Sequence, residues 1–120
     1  MRDIGKDSEL LNMLSGSNTL LDTALKRVGL FEEDYILMME LEFEMRPSSD
    51  YRRVVLKFVG VTEYYFYDEN EHLRDVESLK FFRMANGLYY ISLDPYDETE
   101  APSDKDQYLV VAKSVHGYGE

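Results

Sequence analysis

From Tyr35 onward, apolar and polar residues alternate with a period of two. Leu37, Met39, Leu41, Phe43 and Met45 fall on one side of an extended chain, and Glu40, Glu42 and Glu44 on the other. This is the pattern of a half-buried strand. After the breaker Pro47-Ser48-Ser49-Asp50 the alternation resumes, with Val54, Leu56 and Phe58 on one face and Arg53, Val55 and Lys57 on the other. Both apolar faces must reach one core, and a slip of one residue would turn a whole strand inside out. Pairing Met45 with Arg52 satisfies that parity. It sets Glu44 opposite Arg53, Glu42 opposite Val55 and Glu40 opposite Lys57. Cross-strand charge pairs of this kind contribute about 0.2–1 kcal/mol each, so the glutamate ladder has a structural explanation.

Upstream, the spacing reads as helical. Asp7 or Ser8 can cap a short first helix carrying Leu10, Leu11 and Leu14, and Ser15-Gly16-Ser17 breaks it. Leu20, Leu21, Ala24, Leu25 and Val28 then recur at helical spacing, with Lys26 and Arg27 in the last turn and Gly29 as a stop. The expectation is one principal amphipathic helix over residues 19–28, packed on a sheet.

Downstream, Gly60 ends or kinks the second strand, and residues 61–67 form a third strand or its continuation. Asn86-Gly87 stands between two strand-like runs, residues 79–85 and 88–93. That dipeptide predicts a two-residue type I′ hairpin pairing Ala85 with Leu88, Met84 with Tyr89 and Phe82 with Ile91. Met84, Tyr89, Phe82, Ile91 and Leu93 would be buried, with Phe81, Arg83, Tyr90 and Ser92 on the other face. Residues 94–106 read as an acidic loop, residues 107–115 as the last strand, and residues 116–120 as a loose tail. With no long helical crossovers, the sheet should be mainly antiparallel.

The pattern therefore predicts a single α+β domain over residues 1–120: a mainly antiparallel sheet of five to six strands with one or two N-terminal helices on one face. The expected core includes Leu21, Leu25, Val28, Leu41, Phe43, Leu56, Phe58, Phe82, Ile91, Leu93 and Val111.

Charge narrows the functional classes. The chain has 24 Asp and Glu against 13 Lys and Arg, a net charge of -11 over 120 residues. That sign predicts repulsion from nucleic-acid phosphates and anionic lipid, and favours a basic partner. With no Cys, there is no disulfide or thiolate metal site. No apolar stretch approaches the length of a membrane span, and the first residues show no leader pattern, so a cytoplasmic protein is expected.

Little in the chain suggests catalysis. His72 and His116 lack a Ser or Cys nucleophile in a recognisable setting, and no phosphate-binding glycine loop occurs. Carboxylate pairs such as Glu40 and Glu42, or Asp94 and Asp97, suit glycosidic acid–base work only within a deep pocket. The acidic loop lacks the spacing of a calcium-binding loop. The expectation is therefore no enzyme, no cofactor and no metal.

A resemblance of layout adds a concrete reading. A short amphipathic segment runs into Gly29-Leu30-Phe31-Glu32-Glu33-Asp34, a strand and hairpin follow, then Leu56-Lys57-Phe58-Val59-Gly60-Val61, and later Tyr90-Ile91-Ser92-Leu93-Asp94. Over residues 18–115 this resembles small bacterial α+β proteins, some of them grouped with immunity proteins of polymorphic toxin systems. It departs from them at residues 31–34, where immunity-type sequences of this layout often carry a His-Asp pair, so no functional residue carries over. The resemblance implies a stoichiometric inhibitor that binds a toxin and performs no chemistry.

The functional expectation is a protein-binding module that recognises a basic partner, such as a toxin domain. Glu63, Glu69, Asp97, Glu98, Glu100 and Asp104 would steer association, while Tyr65, Tyr67 and Tyr96 supply contact area. The alternatives are a homo-oligomer, such as a homodimer through a sheet edge, with no dedicated hetero-partner, and a small enzyme or cation-binding protein using the Asp and Glu clusters.

Overall fold

The computed structural model describes residues 1–66 and 75–120. Among these residues the fold is α+β, dominated by one seven-stranded antiparallel sheet. The strands are β1 (Arg2–Lys6), β2 (Ala24–Glu33), β3 (Ile36–Glu44), β4 (Arg53–Tyr65), β5 (Lys80–Arg83), β6 (Tyr89–Asp94) and β7 (Gln107–Gly119). Among the described residues a single α-helix, α1 (Asp7–Met13), precedes one 3-10 turn at Gly16–Asn18. The strand order is β2-β3-β4-β7-β6-β5. β7 is the centre of the sheet. β4 pairs along one of its edges, while β6 takes the first half of the other edge and β1 the second half.

The β3–β4 register agrees with the parity argument: Glu44 lies opposite Arg53, Glu42 opposite Val55 and Glu40 opposite Lys57. The ion pairs run mostly between neighbouring rows. Arg27 of β2 reaches Glu40 and Glu42, Arg53 reaches Glu42 and Glu120, and Lys57 reaches Glu33.

The helix expected over residues 19–28 does not form. Residues 24–33 are strand β2, paired with β3 along its whole length. A β-bulge explains the misleading spacing. The register shifts between Leu25 and Arg27, so Leu25 faces Phe43 while Val28 faces Leu41. One extra residue turns a two-residue alternation into a three-residue gap, which imitates a helical period. Asp34 and Tyr35 then close the hairpin with positive φ at both positions, 53° and 65°. A two-residue type I′ turn requires this backbone. Ahead of the strand, Leu20 is fully buried whereas Leu21 is exposed, contrary to expectation.

The Asn86-Gly87 hairpin forms, but one residue out of the expected register. Arg83 faces Tyr89 and Phe82 faces Tyr90. Met84 donates its N–H to the Leu88 carbonyl (2.7 Å) and Gly87 donates to the Met84 carbonyl (2.9 Å), so Ala85, Asn86 and Gly87 make a three-residue loop. Of these three, only Gly87 has positive φ, +88°. This is the alternative loop in which a left-handed glycine forms a bulge. The shift turns β5 over. Phe81 joins Ile91 in the main core, and Phe82 stacks on Tyr90 on the opposite face, with ring centroids 5.2 Å apart.

The tail is no tail. β7 runs on to Gly119, held by β4 and by β1, a strand the periodicity did not show. A Cβ at Gly117 would collide with Leu10 Cδ1, so this glycine is what lets α1 lie directly on the sheet. The helix is tied down from its first residue. Asp7 does not cap its own helix; its carboxylate accepts from the Val115 N–H (2.9 Å) and the Ser114 hydroxyl (2.8 Å) of β7.

The main core gathers apolar residues from α1 and the strands, including Leu10, Leu25, Leu41, Phe43, Leu56, Phe58, Ile91, Leu93 and Val110, with Val28 and Phe81 packed against them. Phe82, Tyr90, Leu109 and Val111 form a smaller cluster on the opposite face. That second face leads to the candidate site.

Candidate functional site

Cross-strand partners share a face, so the pairing fixes which side chains meet on the second face. One row runs Glu63, Val111, Tyr90, Phe82 and the next runs Tyr65, Leu109, Ser92, Lys80. A bulge between Val61 and Glu63 sets this end of β4 in place. The acidic loop, residues 94–106, folds back over the β5–β6 side of these rows, where Lys80 and Tyr90 hold it.

A buried lysine secures the loop. The Lys80 ammonium, with its side chain 1% exposed, bridges Asp106, whose side chain is 0% exposed, and Asp97. Its donors reach Asp106 Oδ1 and Oδ2 at 3.1 and 3.0 Å, the Ala101 carbonyl at 2.7 Å and Asp97 Oδ1 at 2.9 Å. An ammonium has three protons and here meets three groups, so none of its hydrogen-bonding capacity is stranded. Asp106 also accepts from the Tyr90 hydroxyl (2.5 Å), the Tyr96 N–H (2.8 Å) and the Ser103 N–H (3.0 Å). Burial pushes the Asp106 carboxyl upward, but the donors around it win and hold it below the usual carboxylate range. Burial works against the Lys80 charge as well, and the two aspartates overcome it, raising Lys80 above its ordinary value. Burial, followed by the hydrogen bond to Asp106, pushes the Tyr90 hydroxyl well above the ordinary tyrosine range. Lys80, then Thr99, hold Asp97 at about 2.

Between this lock and the end of β4 lies a groove of about 490 Å³. Met84, Tyr90, Leu109 and Val111 contribute apolar walls, while Glu63, Tyr65, Ser103, Asp104 and Lys105 contribute the polar ones. An apolar floor with a charged rim is the usual anatomy of a protein-binding patch.

The structure brings together three of the nine expected contact residues: Glu63, Tyr65 and Asp104 line the groove. Tyr96 stands beside it, 63% exposed, with the Lys105 ammonium 4.7 Å above its ring. Glu98 and Glu100 are exposed on the loop outside the groove. Asp97 pairs with the buried Lys80 and, on the loop surface, accepts from the N–H and hydroxyl of Thr99. Tyr67 and Glu69, like His72, lie outside the described residues.

Sequence reasoning missed Lys80, Tyr90 and Asp106. The available signal was the lysine inside Leu79-Lys80-Phe81-Phe82, a charge set in an apolar strand run that needs a buried partner. His116 is not in a loose tail but on β7, its Nε2 2.6 Å from Asp3 Oδ2 and its ring stacked on Tyr118. That hydrogen bond lowers the Asp3 carboxyl from its ordinary value.

Among the described residues, no group of three His, Cys, Asp or Glu side chains is placed to hold a metal ion. Among them too, no helix is long and apolar enough to cross a membrane. No protein-family model, curated protein or solved structure matches this chain.

Proposed function

We propose that the protein is a non-catalytic binding module whose acidic groove takes a basic segment of a partner protein, most concretely as an immunity-type inhibitor of a basic toxin domain. The observation that carries this reading is the groove itself. Glu63 and Asp104 put negative charge on the rim of an apolar floor, and Tyr65 and Tyr96 offer large side chains beside it. Lys80 holds the loop in place before any partner arrives, which lowers the entropy lost on binding. It pairs with the buried Asp106 and the part-exposed Asp97 and leaves Glu98, Glu100 and Asp104 exposed. The net charge of -11 then steers a basic partner and repels nucleic acid and anionic membrane.

The test is a pull-down from lysate of the native cells at low and high salt, with the recovered partner then assayed by stopped flow. The reading expects a basic protein whose association rate falls steeply with salt. It also expects Glu63→Gln with Asp104→Asn to weaken binding without unfolding the chain. Recovery of nothing but the protein itself, unchanged by salt or by neutralising Asp97, Glu98 and Glu100, would remove this reading.

A further inference from the structure

The acidic loop, residues 94–106, carries one lysine, Lys105, among its carboxylates. Its ammonium lies 4.7 Å from the centre of the Tyr96 ring, and no carboxylate of the described residues comes within ion-pair distance of it. Two acids of the loop are committed elsewhere. Asp106 is taken by Lys80, the Tyr90 hydroxyl and the N–H groups of Tyr96 and Ser103. Asp97 is taken by Lys80 and Thr99. The face of a tyrosine ring attracts a cation, but only weakly where both are exposed. Lys105 is exposed, and its flexible stem holds the ammonium on that ring alone.

The ring itself is firmly placed. The Tyr96 N–H donates to Asp106 Oδ1 at 2.8 Å, so the buried lock fixes the backbone that carries it. Even with Lys105 above it, Tyr96 is 63% exposed. Lys105 lines the groove together with its neighbour Asp104 and with Glu63 across from the loop. A fixed aromatic face, a carboxylate rim and a weakly held cation therefore meet at one corner of the groove. That cation opposes the entry of a basic segment for as long as it stays on the ring.

Resting on the groove reading above, we infer that this corner is a seat for an arginine side chain of the partner, which displaces Lys105 from the Tyr96 ring. A guanidinium suits the seat better than an ammonium. It is flat and weakly hydrated, so it stacks on the ring, and its fork of N–H donors grips a carboxylate such as Asp104. A partner lysine would only exchange one ammonium for another. Lys105 thus makes the seat selective: it is a competitor that arginine outmatches and lysine does not.

The probes are two acetylated and amidated tetrapeptides of equal charge, tetra-arginine and tetra-lysine, titrated calorimetrically into the full chain at low salt. Tetra-arginine should bind about twofold or more tighter than tetra-lysine. Lys105→Met, which clears the ring, should tighten tetra-arginine about two- to fivefold. Lys26→Met, which removes the same charge from β2, should tighten it less. Tyr96→Leu should weaken tetra-arginine and reduce the gain from Lys105→Met to that from Lys26→Met. All three side chains are exposed, and circular dichroism checks that each variant folds. Equal binding of the two peptides would overturn the inference. So would a Lys105→Met gain no larger than that of Lys26→Met, or one that persists in full with Tyr96→Leu. In those cases the groove reading stands as long as Glu63→Gln with Asp104→Asn weakens the binding. Failure of both peptides to bind would remove the groove reading and the seat together.

Discussion

On the main face of the sheet, Leu41, Phe43, Leu56, Phe58, Ile91 and Leu93 are fully buried in a contiguous apolar cluster. On the opposite face, around β5 and β6, burial is reached with a charged network: Lys80, Asp106 and Tyr90 beneath the acidic loop. The first face depends on volume and shape and is largely indifferent to direction. The second depends on every donor meeting its acceptor, because each unpaired buried charge carries a large desolvation penalty. The difference shows how a chain this acidic orders an acidic loop. One internal cation gathers two of the carboxylates and lets the remainder face outward.

The comparison breaks first at Lys80. Lys80→Ala leaves Asp106 buried without its cation and should cost about 3–5 kcal/mol in urea unfolding. The double variant Lys80→Met with Asp106→Leu should recover much of that loss, which a purely volumetric core would not do. Recovery of nothing would show that the hydrogen bonds to Tyr96 and Ser103, rather than the charge pair, hold the loop. On the apolar face, Leu41→Ala should cost about 2–5 kcal/mol, whereas Leu41→Met should cost less than about 1.5 kcal/mol. Equal losses for the two would mean that this face is as directional as the other.

Gly117→Val comes next. It forces a side chain into Leu10, and overpacking of this kind costs about 1–3 kcal/mol. The loss should be read as early hydrogen exchange in α1 and β1, with β2–β3 protection unchanged.

The two faces also separate by pH. Asp97 and Asp106 have folded values below their ordinary 3.8, Asp97 at about 2. Depressed values mean that their stabilisation is complete above the unfolded value and disappears as pH falls through the folded ones. Lys80 is raised, so its share is complete below 10.5 and is lost only at higher pH. Tyrosine resonances of Tyr90 and Tyr96 should therefore hold steady from neutrality down to about pH 4 and lose dispersion toward pH 2. Movement near neutral pH would contradict the lock as described. The smallest effect belongs to the exposed ladder: Glu33→Gln removes a 3.6 Å ion pair to Lys57 and should shift stability by less than about 1 kcal/mol.

The parts of the fold legible in the chain were those where one local pattern had one reading. The alternation in residues 37–45 and 54–58, with its parity constraint, led to the observed β3–β4 register. The Asn86-Gly87 turn marked a real hairpin. In each misreading, a local pattern had two readings. The bulge after Leu25 made a strand look helical, and Asn-Gly served a three-residue loop rather than a two-residue one. In the candidate site, Glu63, Tyr65 and Asp104 stood out by charge and type. Lys80 and Asp106 did not, because 26 residues separate them and burial, which gives that pair its meaning, is not a local property.

The amino-acid sequence by itself determined the antiparallel α+β class, the acidity, and the inward rows of β3 and β4, since side-chain period and charge are properties of neighbouring residues. Only the tertiary structure decided that residues 24–33 are a strand, that residues 116–119 join the central strand of the sheet, and that an acidic loop folds around a lysine. Each of these depends on pairing between residues distant in the chain, whose loop-closure entropy is offset only when the whole sheet assembles.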